Sequence, residues 1–291
     1  MNDLELISLF CAIDDQCKGI ADEVKKIQAD CTSSQRWWTT RKPGLALSEI
    51  ATIMCLFHKS RYRTFKDFYF CLVLGPLKAF FPKAPSYSRF VTLMKEAIFP
   101  LFLVQHVLRG CCSGVSFIDS SVLSVCHICR SRAHKTFRKI AKKGKTSTGW
   151  FYGMKIHLIV NHQGEILAWM LTPGNISDLN PVESLCNECF GKLIGDKGYI
   201  SSTLFRKLFE RGIQLITRIR SSMKNCLMDL WDKALLKKRS LIESVFNQLK
   251  HGCQIEHHRH RSPINFLVNL IAGLVSYSLS TNKPTLECVM C

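Results

Sequence analysis

Between residues 153 and 172 the chain reads GMKIHLIVNHQGEILAWMLT. Met154, Ile156 and Leu158 alternate with Lys155 and His157, the two-residue period that sends a strand's apolar side chains to one face. His162-Gln163-Gly164-Glu165 is a turn sequence, and 166–172 (ILAWMLT) is a second apolar run. Two such runs joined by a short polar turn predict a β-hairpin. On the N-terminal side, 115–125 (VSFIDSSVLSV) reads as a strand with polar interruptions. On the C-terminal side a helix is expected over 178–189 and a short buried strand over 192–196 (KLIGD). An amphipathic helix follows over 201–212, ending at Gly212, then a strand over 214–219 and a helix over 237–251. The order β-β-β-α-β-α-β-α predicts an α/β fold, a hairpin-bearing sheet with helices covering its faces.

The first hundred residues have a helical texture. Apolar positions in 2–29 (Leu6, Leu9, Phe10, Ile13, Ile20, Val24, Ile27) recur at helical spacing, and Pro43-Gly44 marks a break. A second helix is expected over 45–58, a third from the cap Thr64 to about Leu74, and a fourth from the cap Ser86 to about Val107, with Pro100 kinking or ending it. Basic residues gather beside these helices (Arg41, Lys42, Lys59, Arg61, Arg63, Lys66), which suits a DNA-reading or dimerisation domain. The expected boundaries are a helical domain over 1–110 and a second domain over 111–291 that includes a C-terminal helix, 263–282. The longest apolar stretch, 266–280 (FLVNLIAGLVSYSLS), falls short of the roughly twenty residues that span a bilayer. A buried helix is expected there, and no membrane association.

The chain has 291 residues, with 47% hydrophobic and 21% charged residues, a globular composition. Its net charge of +18 points to a polyanionic partner. Residues 1–35 carry three Lys against seven Asp/Glu, 36–110 twelve basic against three acidic, and 111–291 twenty-five against twelve. The basic character therefore belongs to a long surface rather than a tail. Fifteen cysteines, with no basic segment before the first apolar run, suggest a reducing cytoplasm and mostly buried thiols.

Acids are scarce after residue 110, and three stand out. Asp119 follows Phe117-Ile118 within the first strand. Asp196 ends the short strand before Lys197-Gly198-Tyr199. Glu243 lies between Ile242 and Val245-Phe246 in the last basic helix. A carboxylate on an apolar face is costly unless paired or metal-bound. Three of them on elements that a sheet can align would hold one or two hard divalent cations through oxygen, the arrangement used in two-metal phosphodiester chemistry. Arg239, Glu243 and Lys250, spaced by four and seven residues, share a helical face. They could present ion and phosphate contacts together.

At these stretches the sequence resembles the insertion-sequence DDE transposases, and within them the insertion-sequence-982 family. The matching segments are FIDSSVLSVC (117–126), GKTSTGWFYGMKIHLIVN (144–161), LTPGNISD (171–178), GDKGYIS (195–201), GIQLITRIR (212–220), RSLIESVFNQLK (239–250) and RHRSPINFLVNLIAGLVSYS (259–278). The resemblance covers essentially all of 111–282 and, more weakly, the helical N-terminal part. It implies an RNase H-like catalytic domain, a mixed sheet flanked by helices, preceded by an all-helical domain. It implies Asp119, Asp196 and Glu243 as the DDE triad and ligands of two Mg²⁺ (or Mn²⁺) ions, with Arg239 and Lys250 orienting phosphate. The Tyr that often precedes that Arg by three positions is Leu236 here. Asp178, in PGNISD, is an expected accessory group. The implied activity is metal-dependent cleavage and strand transfer at the terminal inverted repeats of a mobile element. The implied partners are double-stranded repeat and target DNA and a second protomer on that DNA, in a bacterial cytoplasm at the nucleoid. The alternatives are an RNase H-like nuclease without strand transfer and an inactive DNA-binding remnant.

Residues 130–145 hold eight Lys/Arg and no acid (Arg130, Arg132, Lys135, Arg138, Lys139, Lys142, Lys143, Lys145), and Trp150-Phe151-Tyr152 follow. Cations that neutralise phosphate beside aromatics that stack on unpaired bases predict a DNA contact there, Trp150 included. His257, His258 and His260 sit in a basic turn and read as structural or backbone-contacting. Cys126-x-x-Cys129 and Cys186-x-x-Cys189 are too far apart for the usual zinc ribbon.

Overall fold

The structure is a computed structural model that describes residues 3–19, 44–60, 62–219, 228–256 and 260–286. It divides into two compact units.

The first unit comprises Met1–Leu108, His251–Ile255 and His260–Ser280. Its helices are Asp3–Gly19, Leu47–Lys59, Phe65–Phe68, Tyr87–Glu96, Ile98–Val107 and Pro263–Ser278. Ile20, Val24 and Ile27 of the expected first helix lie outside the described residues, as do Arg41, Lys42, Pro43, Arg61, His257 and His258. Leu47–Lys59 is the hub, buried from Ile50 to His58 and packed against both Asp3–Gly19 and Pro263–Ser278. Thr64 caps the third helix by accepting from the Asp67 N–H, and that helix continues through a wider turn, Tyr69–Val73. Phe57 meets Phe65 and Phe68 edge to face, and Tyr69 lies 4.8 Å from Phe90 between ring centroids. The expected single helix to Val107 is two, bent by 55°. The break falls at Ala97, ahead of Pro100, because the first turn of a helix has no internal partner for the N–H that proline lacks. No single described helix is long and apolar enough to cross a membrane.

The C-terminal helix corrects an expected boundary. It spans Pro263–Ser278 and groups with the N-terminal helices. Its buried face, from Phe266 through Tyr277, rests on Leu47–Lys59 and Ile98–Val107. Gly273 is required there, since a Cβ would stand 2.4 Å from Ile255.

The second unit comprises Arg109–Lys250, Glu256–Arg259 and Thr281–Cys291. Its sheet is built from β1 (Val115–Cys126), β2 (Lys142–Thr146), β3 (Gly149–Asn161), β4 (Ile166–Pro173), β5 (Gly191–Gly195) and β6 (Ile213–Thr217). β3 pairs antiparallel with β1, β2 and β4, while β5 is parallel to both β1 and β6. The sheet is therefore mixed, and helices flank it, as expected. The hairpin forms as read: Asn161 Oδ1 accepts the N–H groups of Gln163 and Glu165, and Gly164 supplies the positive φ of 69°.

The two faces of β1 meet different helices. Ile118 joins Ile159, Leu193, Leu204 and Leu208 in a core covered by Val182–Leu185 and Ser202–Glu210. Asp119, one residue on, points the other way, where helix Ser240–Asn247 packs against β1. The long helix expected over 237–251 is resolved into Ser240–Asn247 and a wider turn, Gln248–Gly252, and a separate helix, Leu230–Lys237, precedes them. Leu236, at the position of the Tyr, is buried in that preceding helix. Lys192 on β5 pairs with buried Asp232 of the same helix.

β2 was not foreseen. The KKGKT of Lys142–Thr146 has no apolar alternation, yet it hairpins onto β3 with Lys145 opposite Trp150. Edge strands tolerate lysines because one side of the ladder stays in water. Where β3 crosses β1 the register shifts between Ser124 and Cys126, and Gly153 lies against the partner backbone, its would-be Cβ 2.2 Å from the Leu123 carbonyl oxygen. Gly153→Ala is therefore expected to destabilise the second unit by about 1–3 kcal/mol, measured by chemical denaturation. An unchanged midpoint would refute the tight crossing.

Candidate active site

Asp119 sits mid-strand on β1, opposite Leu158 of β3. The parallel β1–β5 pairing runs to Phe117 opposite Ile194. Two residues further along each chain come Asp119 and Asp196, so the register carries the two acids to the same end of adjacent strands. Asp196 leaves β5 and opens the turn Lys197–Tyr199. Glu243 arrives from the helix, whose buried positions Leu241, Ile242, Val245 and Phe246 leave it on the exposed flank.

Arg239 joins two of these acids. Its Nη1 donates to Asp119 Oδ2 at 3.0 Å and its Nη2 donates to Glu243 Oε1. The other Asp119 oxygen accepts the Ser120 N–H at 2.8 Å. Burial pushes the Asp119 carboxyl up to about 6. The Ser120 N–H and Arg239 oppose that rise, and the charges of Asp196 and Glu243 add to it. Lys250 stands apart from the acids. Its ammonium donates to the Val122 carbonyl at 2.7 Å and pairs with Glu256 at 3.2 Å, so it braces β1 three residues beyond Asp119.

The Transposase DDE domain model matches residues 109–263, just over half of the chain. The chain belongs to the DDE transposase family. Among curated proteins none matches it. Among solved structures, a cryo-EM structure of a piggyBac transposase synaptic complex with hairpin DNA is similar over 94% of this chain and 72% of its own, with 11% identity and a TM-score of 0.49.

The remaining expected groups of this transposase are spread more widely. Arg130 ends the turn Ile128–Arg130, Arg132, Lys135, Arg138 and Lys139 are exposed in the turns that follow, and Lys142, Lys143 and Lys145 lie on β2. Trp150 is 62% exposed, with the Lys145 ammonium 5.8 Å from its ring centroid. His260 packs edge to face on Phe266. Cys186 and Cys189 bracket a tight turn, the Cys189 N–H donating to the Cys186 carbonyl at 3.2 Å.

Asp178 belongs to a polar network on the opposite face of β1 from Asp119. It pairs with Lys155 at 3.0 Å, and Lys155 also donates to the Ile176 carbonyl, pinning the loop after β4. Buried His157 bonds Thr172 through Nε2 at 2.8 Å, and its Nδ1 stands 4.0 Å from Asp178. Ser120 is opposite His157 in the register, so this network backs the residue beside Asp119. Tyr199 is buried nearby, its phenol raised by burial first and then by Asp119, Asp178 and Asp196. Lys155 and His157 were legible only as the polar phase of an alternating strand. A polar pair at i, i+2 facing Thr172 was the available signal.

Burial pushes the His157 imidazole down from 6.5 to about 4, with Lys155 adding to the shift and Asp178 opposing it. Its folded value thus lies below its unfolded value. Above about 6.5 the ring is neutral in both states. As pH falls from about 6.5 to 4, the unfolded chain takes up a proton that the folded chain refuses, and stability is lost. Thermal unfolding of wild type is expected to weaken more between pH 7.5 and 5 than that of His157→Gln. Parallel pH profiles would show that the imidazole stays outside this linkage.

Proposed function

We propose that Asp119, Asp196 and Glu243 form the acidic triad of this DNA transposase, and that the chain belongs to the insertion-sequence-982 group. The observation that carries the triad is the meeting of β1, the end of β5 and helix Ser240–Asn247, with Arg239 clasping Asp119 and Glu243.

DDE transposase domains use divalent metal ions, and the donor set fits: three hard carboxylates, one of them buried beside a cation that it already attracts. Among the described residues, no three His, Cys, Asp or Glu side chains stand together as a ready ligand cluster, and Arg239 bonds two of the acids. Asp119, Asp196 and Glu243 would hold two Mg²⁺ or Mn²⁺ ions, which supply Lewis acidity at the attacking and leaving oxygens. The protein's own part is positioning. β1 and β5 fix the aspartates, Arg239 orients Glu243 and then phosphate, and Lys250 holds β1 in line. The basic surface of Arg130–Lys145 draws in the DNA backbone. Cleavage adds water across a phosphodiester and frees a 3′-OH. That hydroxyl then attacks a phosphorus of target DNA and displaces another 3′-oxygen.

The DNA substrates are the element's terminal inverted repeats and a target duplex, read in part by the first, helical unit. Two protomers on paired ends, in a bacterial cytoplasm at the nucleoid, complete the proposal. Asp119→Asn, Asp196→Asn and Glu243→Gln are each expected to lower Mg²⁺-dependent cleavage by about 10²-fold or more while leaving DNA binding largely intact. A triad variant that cleaves normally would sink the assignment. Strand transfer of pre-cleaved ends, scored on a gel, separates a transposase from a nuclease. A second expectation concerns Arg239. Without its guanidinium the two carboxylates lose their resident cation. Arg239→Ala should therefore bind Mn²⁺ more tightly in the absence of DNA, by calorimetric titration; weaker binding would mean that Arg239 does not compete for the site.

A further inference from the structure

Beyond the acidic site, the far end of β1 opens into a cavity of about 590 Å³. Its walls include Ser124, His127, Arg130, His134, Trp150 and Phe151. A second recess of about 310 Å³ shares Arg130 and His134 and adds Lys135 and Thr136. The lining is of two kinds. Trp150 offers exposed aromatic surface, and the His134 ring meets those of Phe137 and Tyr152, at 5.6 and 6.2 Å. Arg130 and Lys135 offer positive charge, and the His134 Nδ1 is buried without a hydrogen-bond partner. No Asp or Glu occurs anywhere between Asp119 and Glu165, so nothing in this stretch repels an anion. Ser124 and Cys126 are five and seven residues past Asp119 on β1, about 17 to 23 Å at the rise of a strand. The cavity is therefore separate from the acids.

An aromatic wall beside cations, in a recess of ligand size, suits a planar base with a phosphate attached. A base pair still stacked in a duplex cannot enter such a recess, whereas a base taken out of the stack can. We propose that this cavity receives one unpaired nucleotide of the DNA strand, its base against Trp150 and its phosphate toward Arg130 and Lys135. This rests on the DNA-processing role proposed above and adds the form of DNA that the surface selects.

The test uses the full-length protein and two fluorescein-labelled duplexes, one blunt and one with a short single-stranded oligo-dT tail, with free dTMP as competitor. Wild type is expected to prefer the tailed duplex by roughly 5- to 150-fold. Trp150→Ala should reduce that preference to near one, and Trp150→Phe should restore most of it. Trp150 is largely exposed, so these changes spare the core. Equal binding of the two duplexes by wild type, or a preference that survives Trp150→Ala, overturns the proposal while leaving the DNA role standing. Saturation of the site by dTMP at low concentration overturns it in favour of a free-nucleotide pocket. Failure to bind either duplex removes the DNA role and this inference together.

Discussion

A carboxylate in the middle of a β-strand is a costly thing to bury, and the second unit is organised around Asp119. It is half-buried, so its charge gains from partners supplied by the fold. The Ser120 N–H gives one and the Arg239 guanidinium another. Arg239 can reach only because helix Ser240–Asn247 lays Ile242 and Val245 into the core and so fixes its own first turn over β1. The same guanidinium fixes Glu243 four residues later. The docked helix and its arginine thus link the strand's half-buried charge to the place where the third acid stands.

The strand itself has two unlike faces. On one, Ile118 and its neighbours are sealed by apolar helices. Further along that face, Lys155 bonds Asp178 and His157 bonds Thr172. These bonds tie β3 to β4 and to the loop after β4, behind the Asp119 segment. On the other face the acids and Arg239 gather. The division lets one strand be packed on its back and carry carboxylates on its front. It also leaves the strand's far end free to carry the basic, aromatic-lined cavity.

Much of this was legible in the sequence, for identifiable reasons. The 153–172 hairpin was readable because a period of two and a polar turn with Gly164 are local signals. Asp119, Asp196 and Glu243 stood out because carboxylates are rare in so basic a chain and each followed or flanked apolar residues. β2 was not readable: its lysines and glycine carry no alternation, and it forms because β3 offers an open edge. The break at Ala97 was misplaced because proline in the first helical turn costs nothing. The C-terminal helix was recognised as buried, but its companions could not be read from its own residues.

The sequence by itself determined the kinds of element, the sheet's hairpin, the scarcity of acids and the identity of the candidate acidic residues. Those follow from local spacing and from the cost of placing charge among apolar neighbours. Only the tertiary structure decided that Arg239 stands between Asp119 and Glu243 while Lys250 turns to the Val122 carbonyl and Glu256. Only it joined residues 263–278 to the helices of the N-terminal half. Such choices depend on which surfaces meet across more than a hundred residues. A charge selects among partners of similar chemistry by distance and burial, and neither quantity exists until the chain has folded.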